Sequence, residues 1–194
     1  MVRDRARRAL AEYRPLELDP RSRRMAGVLL LLHHREGEDH LVFQQRTDRV
    51  RHHKGEISFP GGAHDPEDRD LLETALRETR EEIGVGPELV EVYGQLDDTE
   101  TRGSGYLIRP FVGAAPTGLE LTFTEAEREV RELFHVPVSH LLSEESHTWK
   151  VVDQEGLAAP TAAYGWEDHV IWGATARMLT QFLALVGGTR EVRE

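Results

Sequence analysis

The most informative segment of the chain reads Arg77-Glu78-Thr79-Arg80-Glu81-Glu82-Ile83-Gly84-Val85. It closes a stretch, 70–83, whose apolar residues recur at the spacing of one helix face and which Gly84 ends. At about 100° per residue, three carboxylates project from one side of this predicted helix: Glu78, Glu81 and Glu82. Like charges repel at these spacings, so the cluster predicts either a solvated acidic face or a site for a hard cation such as Mg²⁺ or Mn²⁺.

The segment upstream of this helix has the features of a phosphate site. A short predicted strand over 57–59 is stopped by Pro60-Gly61-Gly62, whose glycines leave backbone groups free to approach a ligand. Before that strand lies a basic stretch, 46–54, with a net charge of +3 in an otherwise acidic protein. Cations that suit phosphate and carboxylates that suit metal therefore adjoin along the chain.

The rest of the chain mixes strands and helices with no repeat and no low-complexity linker, which indicates a single α/β domain over 1–194. Further strands are predicted at 25–33, 41–46, 89–96 and 106–112, the first two as a hairpin. Further helices are predicted at 2–13, 125–134 and 170–186. We expect the closing residues, 187–194, to be frayed.

The composition narrows the class of protein. A length of 194 residues suits one domain, and a net charge of −11 argues against general affinity for nucleic acid. The absence of cysteine excludes disulfides, thiolate metal sites and a cysteine nucleophile. Eight arginines against four acids make residues 1–24 a basic N-terminal extension, and the longest apolar run, 26–32, is too short to span a bilayer. We expect a soluble cytoplasmic protein that acts on small molecules, without a nucleic-acid or membrane partner.

The stretch from Gly61-Gly62 to Val85 resembles the Nudix box, whose pattern is G, five residues, E, seven residues, R-E-U-x-E-E-x-G-U, with U a bulky aliphatic residue. The second half matches except that Thr79 occupies an aliphatic position. In the first half the early glutamate position falls on Asp68, with eight residues rather than seven before the arginine, so neither Asp68 nor Glu67 receives a role. The resemblance implies the Nudix fold, an α/β/α sandwich with a mixed β-sheet.

A second motif precedes the box. The spacing R-S/A-x-x-x-R-x-x-x-G-x-x-x-F-P-G-G, kept from Arg46 to Gly62, is similar to that of the coenzyme A pyrophosphatases of the Nudix superfamily. Thr47 replaces the small residue, and Val42-Phe43-Gln44 stands where that subfamily usually has Leu-Leu-Thr. The resemblance implies hydrolysis of CoA or acyl-CoA to 3',5'-ADP and (acyl-)4'-phosphopantetheine. The alternatives are hydrolysis of ADP-ribose, NADH or a dinucleoside polyphosphate, and a non-catalytic ligand sensor.

The same resemblance implies a metal centre and a base. Mg²⁺ or Mn²⁺ is assigned to the box carboxylates Glu78, Glu81 and Glu82, of which Glu81 and Glu82 are also expected to be catalytic. A glutamate outside the box is expected to act as the base, with Glu129 preferred to Glu125.

Substrate binding is assigned to residues of the motif before the box. They are Arg46, Arg51, Gly55, Phe59, Gly61 and Gly62. Arg77 is interpreted as an ion-pair partner of a box glutamate in preference to a direct phosphate ligand. The substrate is expected to be CoA or a related nucleoside diphosphate derivative, and the sequence leaves open whether the protein is a monomer or a homodimer.

Overall fold

The computed structural model describes residues 1–21, 23–47, 55–101, 104–119, 121–124, 126, 130–154 and 157–188. Within them the helices are α1 (Val2–Glu12), α2 (Leu71–Ile83), α3 (Val138–Leu141) and α4 (Gly173–Gly187). The strands are β1 (Arg24–Arg35), β2 (Glu38–Arg46), β3 (Ile57–Ser58), β4 (Gly61–Ala63), β5 (Glu91–Gln95), β6 (Thr99–Glu100), β7 (Tyr106–Ala114), β8 (Val130–Pro137), β9 (His147–Gln154), β10 (Leu157–Trp166) and β11 (His169–Ile171).

The main sheet is built around β1, the longest apolar run of the sequence, whose residues from Leu29 to Leu32 are fully buried. It pairs parallel with β7 and antiparallel with β2, which makes the sheet mixed. Within the described chain the strand order is β3-β2-β1-β7-β5, with β8 joined to β2, β4 to β1 and β6 to β7. The mixed sheet and the hairpin of β1 and β2 confirm the sequence prediction.

Two strands share one edge of β1. β2 pairs with the end of β1 from Leu32 to Arg35, whereas β4 pairs with its beginning from Ala26 to Val28. Between these pairings the backbone N–H of Leu29 donates instead to the carbonyl of Pro60, at 2.9 Å. The sheet is therefore split beside the turn that contains Gly61, and β2 continues past the split to pair with β3 and β8.

Helices cover both faces of this sheet. Leu29 and Leu31 pack with α2 on one face, while Leu30 and Leu32 join α1, α3 and α4 in a larger core on the other. The result is the predicted α/β/α sandwich. The first turn of α2 lies so close to β1 that a Cβ on Gly27 would come within 2.2 Å of the carbonyl oxygen of Leu71, so this position requires glycine.

The basic N-terminal helix takes part in this packing. Ala6 and Leu10 of α1 are buried in the larger core. Arg3 is buried as well, and its backbone N–H and its Nε donate to Asp39 at 3.0 and 2.8 Å. Of the tail predicted to be frayed, residues 189–194 lie outside the described part of the chain.

The predicted helix over 125–134 is wrong from Val130 onward, where the chain forms β8. Val130, Phe134 and Val136 are buried at even spacing, and β8 pairs with β2 so that Phe134 lies opposite Phe43. The acidic residues of this segment suggested a helix surface, but the alternation of apolar residues is that of a half-buried strand.

A second sheet, with order β11-β10-β9 in the described chain, has no counterpart in the sequence prediction. Val170 and Ile171 belong to its strand β11. Helix α4 therefore begins at Gly173, three residues after the predicted start at position 170. No helix in the described residues is both long and apolar enough to cross a membrane.

Two histidines, the buried His33 and the half-buried His135, connect β1 to β8. Nε2 of His33 and Nδ1 of His135 share a hydrogen bond of 2.9 Å, and the ring of Phe123 contacts both. Burial, followed by the positive charge of Arg35 and the neighbouring His40, lowers the pKa of His135 to about 4. Burial, then His135 and His40, lowers the pKa of His33 to about 3, so both rings are neutral in the folded protein at pH 7.

These shifts predict that acid weakens the fold through the histidine pair. The unfolded chain binds protons near the ordinary histidine pKa of about 6.5, whereas the folded chain does not until about 4. The stability contributed by the neutral rings is complete above about pH 6.5 and is lost as the pH falls toward the folded pKa. Between pH 7 and pH 5, the unfolding free energy of His135→Gln should rise by about 2 kcal/mol relative to the parent protein, as urea titrations would measure.

Groups that do not interact with His135 cancel in this difference, and His33, whose pKa His135 also lowers, contributes in the same direction. The control is His147→Gln, which removes an exposed histidine. A relative free energy for His135→Gln that stays constant from pH 7 to pH 5 would contradict the prediction.

Candidate active site

The helix that carries the carboxylates is defined at both ends by its own residues. Asp70 caps its start by accepting a hydrogen bond from the backbone N–H of Glu73 at 2.9 Å, and Gly84 ends it in the left-handed conformation, with φ of 76°. Thr79, at the position where the box has an aliphatic residue, is fully buried and donates its hydroxyl to the carbonyl of Ala75 at 2.7 Å. Threonine is tolerated there because its polar group is paired within the helix.

Glu82 is the most deeply buried of the three carboxylates, with 2% of its surface exposed. Its Oε2 accepts hydrogen bonds from the backbone N–H of Gly61 at 2.8 Å and from Nε2 of Gln44 at 2.7 Å. Its Oε1 lies 3.4 Å from Nη1 of Arg46. Burial raises the pKa of Glu82 to about 7, against the opposing effects of Gly61, Gln44 and Arg46, so a further cation would stabilise its charged form.

Glu78 and Glu81 are held by Arg77. Nη1 of Arg77 donates to Glu78 at 2.8 Å and to Glu81 at 3.2 Å, while Glu81 remains largely exposed. A Cβ on Gly62 would lie 2.6 Å from the carboxyl carbon of Glu78, so the turn approaches this side chain as closely as a glycine allows.

Asp68 anchors the other side of Arg77. Nε and Nη2 of Arg77 donate to its two oxygens at 2.9 and 3.0 Å, and the hydroxyl of Thr74 donates to it at 2.7 Å. The guanidinium, followed by Thr74 and the backbone N–H of Asp65, holds the pKa of Asp68 well below its usual range. Asp68, to which the sequence assigns no role because of the extra residue before Arg77, is thus the buried partner of the box arginine.

The residues assigned to substrate lie at different depths. Arg46 and Gly61 meet at the carboxylate of Glu82, and the backbone N–H of Gly55 donates to the carbonyl of Arg46 at 3.2 Å. Phe59 is 1% exposed and packs on Phe43 at 4.7 Å between ring centroids, so it supports the turn from within the core. Arg51, Glu125 and Glu129 lie outside the described residues.

The chain on either side of Glu125 is tied to the end of α2. The backbone N–H of Thr124 donates to the carbonyl of Ile83, and that of Ala126 donates to the carbonyl of Glu82, both at 3.0 Å. This attachment was not predicted, because hydrogen bonds between distant backbone groups leave no pattern in the sequence.

Gln44 was also not predicted as a site residue. It is fully buried and comes from β2, 38 positions before the carboxylate that it binds. The available signal was its polarity within a buried apolar run, since Leu41, Val42 and Phe43 are all fully buried.

The chemical type of the side chains at this site, carboxylates, suits a divalent cation. Carboxylate oxygens are the ligands that hard cations prefer, and Glu78 and Glu82 approach the same glycine turn. In the described residues, however, no three acidic or histidine side chains converge closely enough to form a metal site. Arg77 donates hydrogen bonds to Glu78 and Glu81 in this structure. To bind an ion, these two carboxylates would give up part of their contact with Arg77.

The chain packs α2 on a split mixed sheet and carries three carboxylates near the end of that helix. Comparison with known proteins identifies the family of proteins to which this arrangement belongs. The model of the NUDIX domain matches residues 23–164, and the chain belongs to the Nudix family. Nudix hydrolases act on pyrophosphate bonds and generally use divalent metal ions.

Among its relatives is the uncharacterized Nudix hydrolase NudL of Photorhabdus laumondii, 39% identical over 73% of this chain and 74% of that protein. NudL of Yersinia enterocolitica is 36% identical over 73% of this chain and 71% of that protein. The fold is shared with the Nudix hydrolase RenU of M. smegmatis, with a TM-score of 0.59 at 17% identity over 89% of this chain and 91% of that one. The MutT protein of Methanosarcina mazei Go1 has a TM-score of 0.55 at 14% identity, over 93% and 100% of the two chains.

The contact between Asp68 and Arg77 predicts a specific sensitivity. Asp68→Asn removes a buried charge opposite the guanidinium, so we expect the unfolding free energy to fall by about 2 kcal/mol and turnover to fall with it. Urea unfolding and steady-state kinetics would measure both. Glu67→Gln makes the same change of charge at the exposed neighbouring residue and should alter stability by less than about 0.5 kcal/mol. Equal effects of the two substitutions would refute the anchoring role of Asp68.

Proposed function

We propose that this protein is a divalent-metal-dependent pyrophosphohydrolase that cleaves CoA or acyl-CoA to 3',5'-ADP and (acyl-)4'-phosphopantetheine in the cytoplasm. The observation that carries the proposal is the 3.4 Å contact between Nη1 of Arg46 and Oε1 of Glu82. It joins the first arginine of the motif before the box to the last glutamate of the box. One end of the sheet thereby combines a cation suited to phosphate with a carboxylate suited to metal.

The metal ligands in this proposal are Glu78, Glu81 and Glu82, and the ion is Mg²⁺ or Mn²⁺. When bound, such an ion acidifies water and neutralises the charge that develops as water attacks phosphorus and the leaving phosphate departs. The chain contributes the positions of the carboxylates: Gly61 and Gln44 orient Glu82, and Arg77 holds the other two beside it.

Substrate would bind through Arg46, Arg51, Gly55, Gly61 and Gly62. The planar guanidinium of arginine suits phosphate oxygens, and the glycines let a phosphate approach the backbone. Phe59, which the sequence includes in this set, is proposed to act indirectly, because its ring packs against Phe43 below the turn.

The base in this proposal is Glu129, with Glu125 as the alternative. Two observations support a base from this segment. Ala126 and Thr124 bind the last carbonyls of α2, and Val130 pairs with Arg46 in the sheet. The described residues that flank positions 127–129 therefore contact the backbone of Glu82 and of Arg46.

Incubation with CoA, ADP-ribose, NADH and a dinucleoside tetraphosphate, each with Mg²⁺ or Mn²⁺, would test the activity. Chromatography should show CoA consumed to 3',5'-ADP and 4'-phosphopantetheine in equal amounts. Glu82→Gln should lower kcat at least about 100-fold, the loss typical of removing one charged group from such a site. Glu73→Gln, which alters a carboxylate that pairs with Arg69 at the start of the same helix, is the control.

Two outcomes would reject this proposal in different ways. Intact CoA alongside consumed ADP-ribose would assign another Nudix substrate. Unchanged metal-dependent turnover in Glu82→Gln would remove the catalytic role of the box carboxylate, and binding of these compounds without turnover in the parent protein would indicate a ligand sensor.

Arg51 is proposed to recognise the 3'-phosphate that distinguishes CoA from simpler ADP derivatives. Arg51→Ala should then raise KM for CoA about 10-fold and leave KM for dephospho-CoA nearly unchanged, because only the former presents that phosphate. Steady-state kinetics on the two substrates would measure this, with Arg80→Ala, an exposed arginine on α2, as the control. Equal increases for both substrates would contradict a role at the 3'-phosphate.

A further inference from the structure

The side chain of Gln44 lies below the carboxylate of Glu82. It is fully buried, and its Nε2 donates to Oε2 of Glu82 at 2.7 Å and more weakly to Oγ of Ser58 at 3.5 Å. In the described part of the chain, no group donates a hydrogen bond to Oε1 of Gln44.

The two oxygens of Glu82 differ in their surroundings. Oε2 has two short hydrogen bonds, from Gln44 at 2.7 Å and from the backbone of Gly61 at 2.8 Å. Oε1 has one longer contact among the described residues, at 3.4 Å from Arg46, whose side chain is partly exposed. The carboxylate is therefore fixed through one oxygen, and the other is presented toward the end of the sheet where Arg46 lies.

Gln44 can hold an ionised carboxylate in only one way. Its amide nitrogen donates, whereas its amide oxygen would repel the negative charge, so Nε2 must face Glu82 and Oε1 must turn away. A buried acceptor without a donor costs about 1–3 kcal/mol. The short hydrogen bond from Nε2 to the buried carboxylate offsets that cost, so the contact with Glu82 accounts for a glutamine at this position.

We propose that Gln44 is a positioning residue: it holds Oε2 of Glu82 against Gly61 so that Oε1 is presented to the divalent cation. The inference rests on the proposed function, because it assumes that Glu82 binds the metal. It predicts that Gln44 determines metal affinity more than it determines substrate affinity, since its contact is with the ligand of the ion.

Binding of Mn²⁺ to the whole protein without substrate, followed through the electron paramagnetic resonance signal of free Mn²⁺, tests the role directly. Gln44→Met keeps the length of the side chain and removes the donor, and it should weaken Mn²⁺ binding about 10–100-fold. KM for the nucleotide substrate at saturating Mn²⁺ should change less than the Mn²⁺ dissociation constant. Gln44→Asn, which keeps an amide on a shorter side chain, should show an intermediate loss.

The matched control is Gln45→Met. Gln45 is the next residue of β2, points to the opposite face and donates to the carbonyl of Gly55, so its loss should leave Mn²⁺ binding within twofold of the parent. Melting temperatures would show that each variant is folded. If Gln44→Met does not fold, Gln44→Asn carries the test.

Glu82→Gln separates this inference from the proposed function. Weak Mn²⁺ binding in Glu82→Gln, together with parent-like binding in a folded Gln44→Met or Gln44→Asn, would overturn the role of Gln44 alone. Parent-like binding in Glu82→Gln would overturn the assignment of Glu82 as a ligand, and the inference with it. Equal losses in Gln44→Met and Gln45→Met would also overturn it, because the effect would then belong to the strand as a whole.

Discussion

The burial of the Glu82 carboxylate is the constraint on which the rest of the site depends. A charge removed from water requires hydrogen bonds or a cation, and the donors come from separate parts of the chain. Gln44 and Arg46 belong to β2, Gly61 is the first residue of β4, and Glu82 belongs to α2. The short hydrogen bonds therefore hold the helix, the sheet and the turn in one relative position.

The split in the sheet makes this arrangement possible. If β2 paired with β1 along its whole length, the backbone N–H of Gly61 could not reach a side chain on α2. Because β4 replaces β2 along the first part of β1, Gly61 lies at the edge of the gap and its N–H donates to Glu82. Gly27 contributes to the same geometry, since its missing side chain allows α2 to approach the strand.

A second contact, between Arg77 and Asp68, anchors the arginine of the site. Arg77 faces two box carboxylates on one side and Asp68 on the other, so its orientation does not depend on whether those carboxylates bind an ion. The loop before the helix contains one residue more than the box pattern, and Asp68 still reaches the guanidinium with both oxygens. The backbone N–H of Asp65 also donates to Asp68, which fixes the turn that carries it.

Much of the local structure was predictable from the sequence, because it depends on neighbouring residues. The helix from Leu71 to Ile83, its end at Gly84 and the hairpin of β1 and β2 follow from apolar spacing and from the conformations that glycine allows. The prediction failed at Val130, where a dense acidic pattern suggested a helix and pairing with β2 produced a strand. Tertiary pairing outweighs local preference when a strand can bury one face against an existing sheet.

The sequence alone determined the family resemblance, the clustering of Glu78, Glu81 and Glu82 on one helix, and the adjacency of basic and acidic segments. Only the tertiary structure decided that Glu82 faces inward while Glu81 stays exposed, that Asp68 pairs with Arg77, and that Gln44 lies beneath the carboxylate. The reason is physical. Helix spacing is a property of consecutive residues, whereas the partner of a buried charge is chosen by whichever distant donor the packed sheet brings within hydrogen-bond distance.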